Sequence, residues 1–382
     1  MRYSVIICFL IYGFFIQGCK NVPDHSFKQK LTSASSIKYA QRFTIEKREG
    51  YSLLTILNPW QGAQNVNQVY CLVRRGDKVP EGFDKSAIIW LPVQRIITMS
   101  TTYLSMLSAI GEDGKVVGVS GADLFYNEKI RKAVHDGKIA DVGYEDNLNK
   151  ELVVKLEPDL VMVYGVGSES SGYIGKIKDM GIKVMFNADY LENDPLGKAE
   201  WIKVFGALFS KEKEADELFS AICTEYNSIK SLVIEKADHK PKVMLGLPWK
   251  DAWFISPGNS FMSKLISDAG GDYLWKDTFS EVSMPYGIED VWLRAMNADY
   301  WLNISSISLA SEILTVDYRL GDLPSFRNGN LYNNNNRIAK NGGNDYWESG
   351  AINPQVILKD IAAILHPDLF RGYNYYYYKK IK

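Results

Sequence analysis

From Ala215 to Lys236 the chain runs without a Gly or Pro, and Ala215, Leu218, Phe219, Ile222, Tyr226, Ile229 and Val233 recur at intervals of three and four. One apolar stripe down so long a stretch predicts a single helix. On either side the pattern is of another kind. Upstream, Arg95–Met99, Val116–Val119, Leu160–Val163 and Lys183–Phe186 are short apolar strands. Helical segments separate them, starting at Ser100, over Leu152–Leu156 and near Ile174–Met180. Downstream the alternation restarts with strands at Lys242–Leu245 and Tyr300–Asn303. The helices there are Ser260–Ala269, ended by Gly270-Gly271, then Val291–Met296, and Pro354–Leu365, ended by His366-Pro367. Such alternation indicates parallel sheets with helices on their faces. The chain therefore reads as two α/β lobes joined by a long helix. Even without its first 18 residues, a chain of 382 is too large for one typical core.

The N-terminus is set apart from that fold. Arg2 supplies one positive charge, and Val5 to Phe15 is almost purely apolar. A run this short falls well under the roughly 20 residues needed to span a bilayer as a helix. It reads as a signal peptide over residues 1–18. Ile16-Gln17-Gly18-Cys19 at its end resembles the bacterial lipobox, which implies diacylation of Cys19 and tethering to a membrane. Two acyl chains anchor stably where one does not. Residues 19–37 are polar, with Pro23 and several Ser, and read as a lipid-anchored linker.

Between linker and first lobe, residues 38–90 alternate and turn. Phe43–Ile45 and Tyr51–Ile56 flank Lys47-Arg48-Glu49-Gly50, and Val69–Val73 follows a polar loop. These predict antiparallel strands joined by hairpins. Formal net charge is −1 with both signs mixed along the chain, so no basic stripe points to nucleic acid. The four His are far apart and show no metal-ligand spacing. Beyond Cys8 and Cys19 there remain Cys71 and Cys223, which are free to pair in an oxidising compartment. The reading adopted here is two buried thiols. The run Tyr375–Tyr378 reads as terminal packing rather than a site.

The segment Asn149-Lys150-Glu151-Leu152-Val153-Val154-Lys155-Leu156-Glu157-Pro158-Asp159-Leu160-Val161 carries a family resemblance. It is similar to the N-x-E-x-(I/V)-x-x-L-x-P-D-L-V segment of the periplasmic-binding proteins that serve ABC importers of cobalamin, iron–siderophores and haem. Glu289–Asp299 looks like a second copy, with Met296-Asn297 in place of the usual Pro-containing turn. Ser256–Ser260 followed by Ala269-Gly270-Gly271 resembles the family's S-G-x-x-S and A-G-G region. The resemblance covers about residues 92–370 and leaves residues 38–90 outside. It implies an α/β fold of two Rossmann-like lobes bridged by one long rigid helix, here with an N-terminal β-hairpin extension. The first lobe is then 91–193, the bridging helical segment 194–238, and the second lobe with its tail 239–382. No catalysis, cofactor or resident metal is implied. The partners implied are a metal chelate as ligand and the permease subunits of an ABC transporter, with the protein acting as a monomer. One Glu on each lobe, Glu151 and Glu289, matches the family's permease-docking positions. Both fall in helix first turns, where a carboxylate also complements the helix dipole without any partner.

In open parallel sheets ligands bind beyond the carboxyl ends of the strands. Residues following the strands of the first lobe are Thr101, Tyr103, Tyr126 and Tyr144. Those of the second are Trp249, Trp253, Tyr286 and Trp347. Tyr and Trp offer broad flat contact and one hydrogen-bonding tip, which suits a large planar chelate. Anionic chelates attract Arg, and these loops contain none; Arg319, Arg327 and Arg337 lie nearby in the sequence, and the sequence does not place them. Cobalamin or a neutral siderophore is favoured, with haem on a Tyr axial ligand as a further reading. An enzyme is disfavoured, since no phosphate loop, nucleophile elbow or H-E-x-x-H site occurs. A glycan-binding or adhesion lipoprotein is the alternative, because aromatic loops also suit sugar stacking.

Overall fold

In a computed structural model of the chain, which describes residues 37–144, 147–165 and 172–382, the long apolar stripe forms one helix, Glu212–Lys236. The signal segment, Cys19 and the linker up to residue 36 lie outside the described residues. At 1.5 Å per residue the helix is about 37 Å long. Ala215, Phe219, Ile222, Tyr226, Ile229 and Val233 are buried, as the periodicity requires, and Leu218 is partly so. It packs against Ile202–Phe209 and against Pro354–Leu365. Gly206 allows the first approach, since a Cβ there would lie 2.7 Å from that of Ala215. The helix Phe261–Asp268 is tied to it through Asp268, which accepts from the Tyr226 hydroxyl at 2.8 Å and pairs with Lys230 at 2.8 Å and with Lys264 of its own helix at 2.7 Å.

The first lobe is a five-stranded parallel sheet. Its strands are β5 (Ile96–Thr98), β6 (Val116–Val119), β7 (Ala140–Asp141), β8 (Leu160–Val163) and β9 (Val184–Phe186), in the order β7-β6-β5-β8-β9. The second lobe has β10 (Lys242–Leu245), β12 (Asp272–Tyr273), β14 (Tyr300–Leu302), β15 (Leu331–Asn333) and β16 (Lys379–Lys380), in the order β12-β10-β14-β15-β16. Only β16 runs antiparallel in it. β11 (Trp253–Ile255) and β13 (Met284–Tyr286) form a separate antiparallel pair. Each lobe reverses its strand order beside its own first strand, between β5 and β8 and between β10 and β14.

The repeated sequence segment has a structural reason. Asn149 caps the helix Lys150–Lys155, its Oδ1 accepting from Leu152 N at 3.0 Å. Asp159 then accepts from the backbone N–H of Gln94 at 2.8 Å and of Arg95 at 3.2 Å. In the second lobe Asp299 accepts from Lys242 N at 2.7 Å. In both lobes, an Asp before the strand beyond the switch point therefore sets the entry of that lobe's first strand.

Residues 43–91 differ from the expectation of simple hairpins. β1 (Phe43–Arg48), β2 (Tyr51–Leu57) and β3 (Asn67–Arg74) are antiparallel, but β4 (Ile88–Leu91) joins β3 in parallel. One face of this sheet, with Leu54, Ile56, Tyr70 and Leu72, merges into the main core. Cys71, Val73 and Ile88 pack on the other face. The chain entering it is tied down by two buried carboxylates. Glu200 accepts from the N–H groups of Lys38, Tyr39 and Ala40, and pairs with Lys203 at 2.8 Å. Glu192 accepts from those of Gln41 and Arg42 and from the Trp201 indole. Cys71 is buried and Cys223 partly buried, and both are free thiols whose pKa burial pushes up to about 11.

The tyrosine run packs, as expected. Asp360 accepts from the backbone N–H of Tyr376, Tyr377 and Tyr378 and from the Tyr373 hydroxyl. Tyr377 and Tyr378 are fully buried edge-on to Tyr346.

Candidate ligand-binding cleft between the lobes

The carboxyl ends of the first lobe's strands open onto a cavity of about 520 Å³ whose opposite wall is the loop Gly342–Trp347 of the second lobe. After β5 the chain turns straight into the helix Thr101–Ala109. Ser100 caps it, its Oγ accepting from Thr102 N at 3.4 Å. Ser100, Thr101 and Thr102 thus sit at a helix start on the cavity floor. Ser120 and Leu124 follow β6, Tyr144 follows β7, Tyr164 follows β8, and Asp189 and Tyr190 follow β9. Trp347 stands opposite, 61% exposed. It meets Tyr346 edge-on at 4.8 Å, and Tyr346 rests on Tyr377 and Tyr378. The terminal tyrosines therefore buttress the cleft's tryptophan.

Beyond Thr101, Thr102 and Tyr190 the space continues for about 600 Å³ past Lys198, Phe261 and Met262. The lining is mostly aromatic and aliphatic, with hydroxyls at the strand ends. Among the described residues no Arg or Lys lines the first cavity, and Asp189 is its carboxylate. Asp189 is buried and its Oδ2 has no hydrogen-bond partner among the described residues. Burial pushes its carboxyl up despite the Lys198 ammonium nearby.

The cleft gathers Thr101, Tyr144 and Trp347 from the residues singled out in the sequence. Tyr103 reaches it only as floor, being fully buried with its hydroxyl donating to Asn187 O at 3.3 Å. Trp249, Trp253, Tyr286 and Tyr126 are not brought there. In the second lobe the β11–β13 pair lies over the strand ends. Trp253 is fully buried against Trp301, donating to Leu245 O at 3.1 Å, while Trp301 donates to Gly246 O at 2.6 Å. Tyr286 pairs with Trp253 in that ladder, and Trp249 is exposed beside Lys250. In this lobe the strand ends are plugged, so Trp249, Trp253 and Tyr286 do not line the cleft. Asp189 and Tyr190 were missed, although they follow a strand in the same way.

Tyr126 belongs to a clasp between the lobes. Glu348 accepts from Tyr126 N at 2.7 Å and from Asn127 N at 3.1 Å, at the start of the helix Glu128–His135. Asn341 donates to Asp123 O at 2.7 Å and Phe125 O at 3.2 Å. Gly343 comes so near Phe125 that a Cβ would sit 2.5 Å from its backbone. Burial pushes Glu348 up to about 7 against the two N–H groups that favour its charge. Glu151 and Glu289 are exposed in their helix first turns, and Glu289 lies 3.4 Å from Arg319.

Two lobes on parallel sheets, a long helix between them and a cleft at the strand ends define a two-lobed solute-binding protein. The model of the family described as periplasmic binding protein matches residues 96–332, and the chain belongs to that family. Members are the solute-binding, non-enzymatic components of ABC importers. An uncharacterized lipoprotein of Methanocaldococcus jannaschii is 31% identical over 85% of this chain and 81% of its own. A vitamin B12-binding protein of Salmonella typhimurium is 25% identical over 62% of this chain and 80% of its own. A periplasmic heme-binding protein from Pseudomonas aeruginosa has the same fold, with a TM-score of 0.55 at 16% identity over 72% of this chain and 93% of its own.

Proposed function

We propose that this chain captures a neutral planar or amphipathic chelate, with cobalamin first and an iron–siderophore second, and delivers it to an ABC permease. The observation that carries the reading is the cavity between the lobes, walled by Tyr144, Tyr164, Tyr190 and Trp347 and free of Arg and Lys among its described lining residues. Flat rings there offer contact area at little rotamer cost. Asp189 offers a hydrogen-bond site on the floor to a donor group of the ligand. The vitamin B12-binding relative supports the order of preference. Haem is the reading that uses a cleft tyrosine as axial ligand. Cys19 holds the protein to the membrane as a lipoprotein, consistent with the lipoprotein relative. Glu151 and Glu289 face the permease, and the protein acts as a monomer.

The test is a titration of the soluble form starting at Lys20, followed by tryptophan fluorescence. Cyanocobalamin, a ferric hydroxamate, haemin and a set of glycans are the probes. Saturable quenching by cyanocobalamin or the ferric hydroxamate is expected. Binding to glycans alone would overturn the importer reading in favour of an adhesion or glycan-binding lipoprotein.

A further inference from the structure

Adjoining the cleft at Tyr190 lies another cavity, of about 470 Å³, with the opposite character. Its walls come from three separate parts of the chain. Arg42, Asn58 and Gln61 belong to the N-terminal segment just before β1 and to the β2–β3 loop, Asn193 to the end of the first lobe, and Asn259 and Glu281 to the second lobe. Most of these are amides, and the Arg and the Glu cancel in formal charge.

The loop is held in place. Asn58 N donates to Val66 O at 2.7 Å, and its Oδ1 accepts from Val66 N at 3.1 Å. Gln61 N donates to the Tyr190 hydroxyl at 3.2 Å, and that hydroxyl donates to Gly165 O. Trp60 packs on Phe186 with centroids 5.5 Å apart. Tyr190 is thus held in place and lines both the apolar cleft and the amide-lined cavity, which adjoin at it. Asn259 also spends its Oδ1 within the protein, on Ser280 N at 3.1 Å. The amide N–H groups of Asn58 and Asn259 remain as donors.

We propose that this side cavity is a second subsite, which holds a hydrogen-bonding appendage of the ligand whose flat body occupies the main cleft. The appendage carries hydroxyl, amide or phosphodiester oxygens and at most one negative charge. Amides supply donors and acceptors to such groups, and the Arg42 fork suits one anionic oxygen. Glu281 disfavours a second. The subsite is built largely by residues 42–65, which precede the residues matched by the family model. It is therefore a feature that the N-terminal sheet adds to the shared two-lobed body. The inference rests on the chelate-binding reading above.

Cyanocobalamin and dicyanocobinamide share the corrin body and differ by a nucleotide appendage, so they separate the two subsites. The protein is expected to bind cyanocobalamin about 10- to 100-fold more tightly, the range that a few hydrogen bonds supply. In Gln61→Ala/Asn193→Ala the preference shrinks to about threefold or less, while cobinamide affinity stays within about twofold and serves as the folding control. Equal affinity of the unaltered protein for the two corrinoids overturns the subsite and leaves the chelate reading standing. So does an undiminished preference in the double variant, or an equal loss for both compounds. Failure of both corrinoids to bind overturns the cobalamin reading and the subsite with it.

Discussion

Trp347 and Trp253 were equal candidates in the sequence, and the fold gives them opposite tasks. Trp347 is 61% exposed in the cleft, whereas Trp253, itself the first residue of β11, is fully buried against Trp301. Trp347→Ala is expected to weaken ligand binding by about tenfold, as loss of a stacking ring costs roughly 1–2 kcal/mol. Trp253→Ala should instead lower stability by about 3–5 kcal/mol, the usual cost of emptying so large a core site. Titration and denaturant unfolding of the two variants separate these effects, and equal behaviour would contradict the assignment. Trp249→Ala, away from the cavity, should leave affinity within about twofold because surface changes rarely reach beyond their contacts. What sequence could not supply was direction. Position after a strand says that a side chain is near the strand ends, but not whether another element covers them.

Elements with an amphipathic period were legible, and those without one were not. The helix Glu212–Lys236 and the helix Pro354–Leu365 show their stripes or their stops. Ile202–Phe209 is buried on all sides, so it carries no stripe to read. The clasp formed by Asn341–Glu348 was also illegible, since its partners lie more than 200 residues away. It makes a pH prediction. The Glu348 carboxyl moves from 4.5 to about 7 on folding, so between those values the native state holds a proton that the unfolded chain releases. Its contribution is therefore full below pH 4.5 and is lost as pH rises through 7, up to about 3 kcal/mol. Asp345 and Arg131 act on the same group, the first raising and the second lowering it. Glu348→Gln keeps an acceptor but cannot titrate, so denaturant unfolding across pH 4.5–7 should lose that slope. An unchanged slope in the variant would show that other groups carry it.

For the molecule as a whole, the long helix, the clasp and the buried carboxylates Glu192 and Glu200 hold lobes and N-terminal sheet in one arrangement. The exposed Glu151 and Glu289 then stand at a fixed separation, one on each lobe, as the proposed docking would require. Glu151→Arg with Glu289→Arg should abolish uptake in cells carrying the matched importer while ligand affinity stays unchanged. Removing Glu289 from Arg319 breaks only a solvent-exposed pair, which contributes little to stability. Normal uptake by the double variant would rule out docking through these residues. By itself the sequence determined the two α/β lobes and the helix between them. Those features are local: a period, a cap or a stop is written in neighbouring residues. Tertiary structure alone decided which strand ends stay open, that residues 43–91 form a wall rather than an appendage, and that an apolar cleft and an amide-lined one adjoin at Tyr190. These outcomes depend on residues far apart in the chain competing for the same space, and no local pattern records which of them prevails.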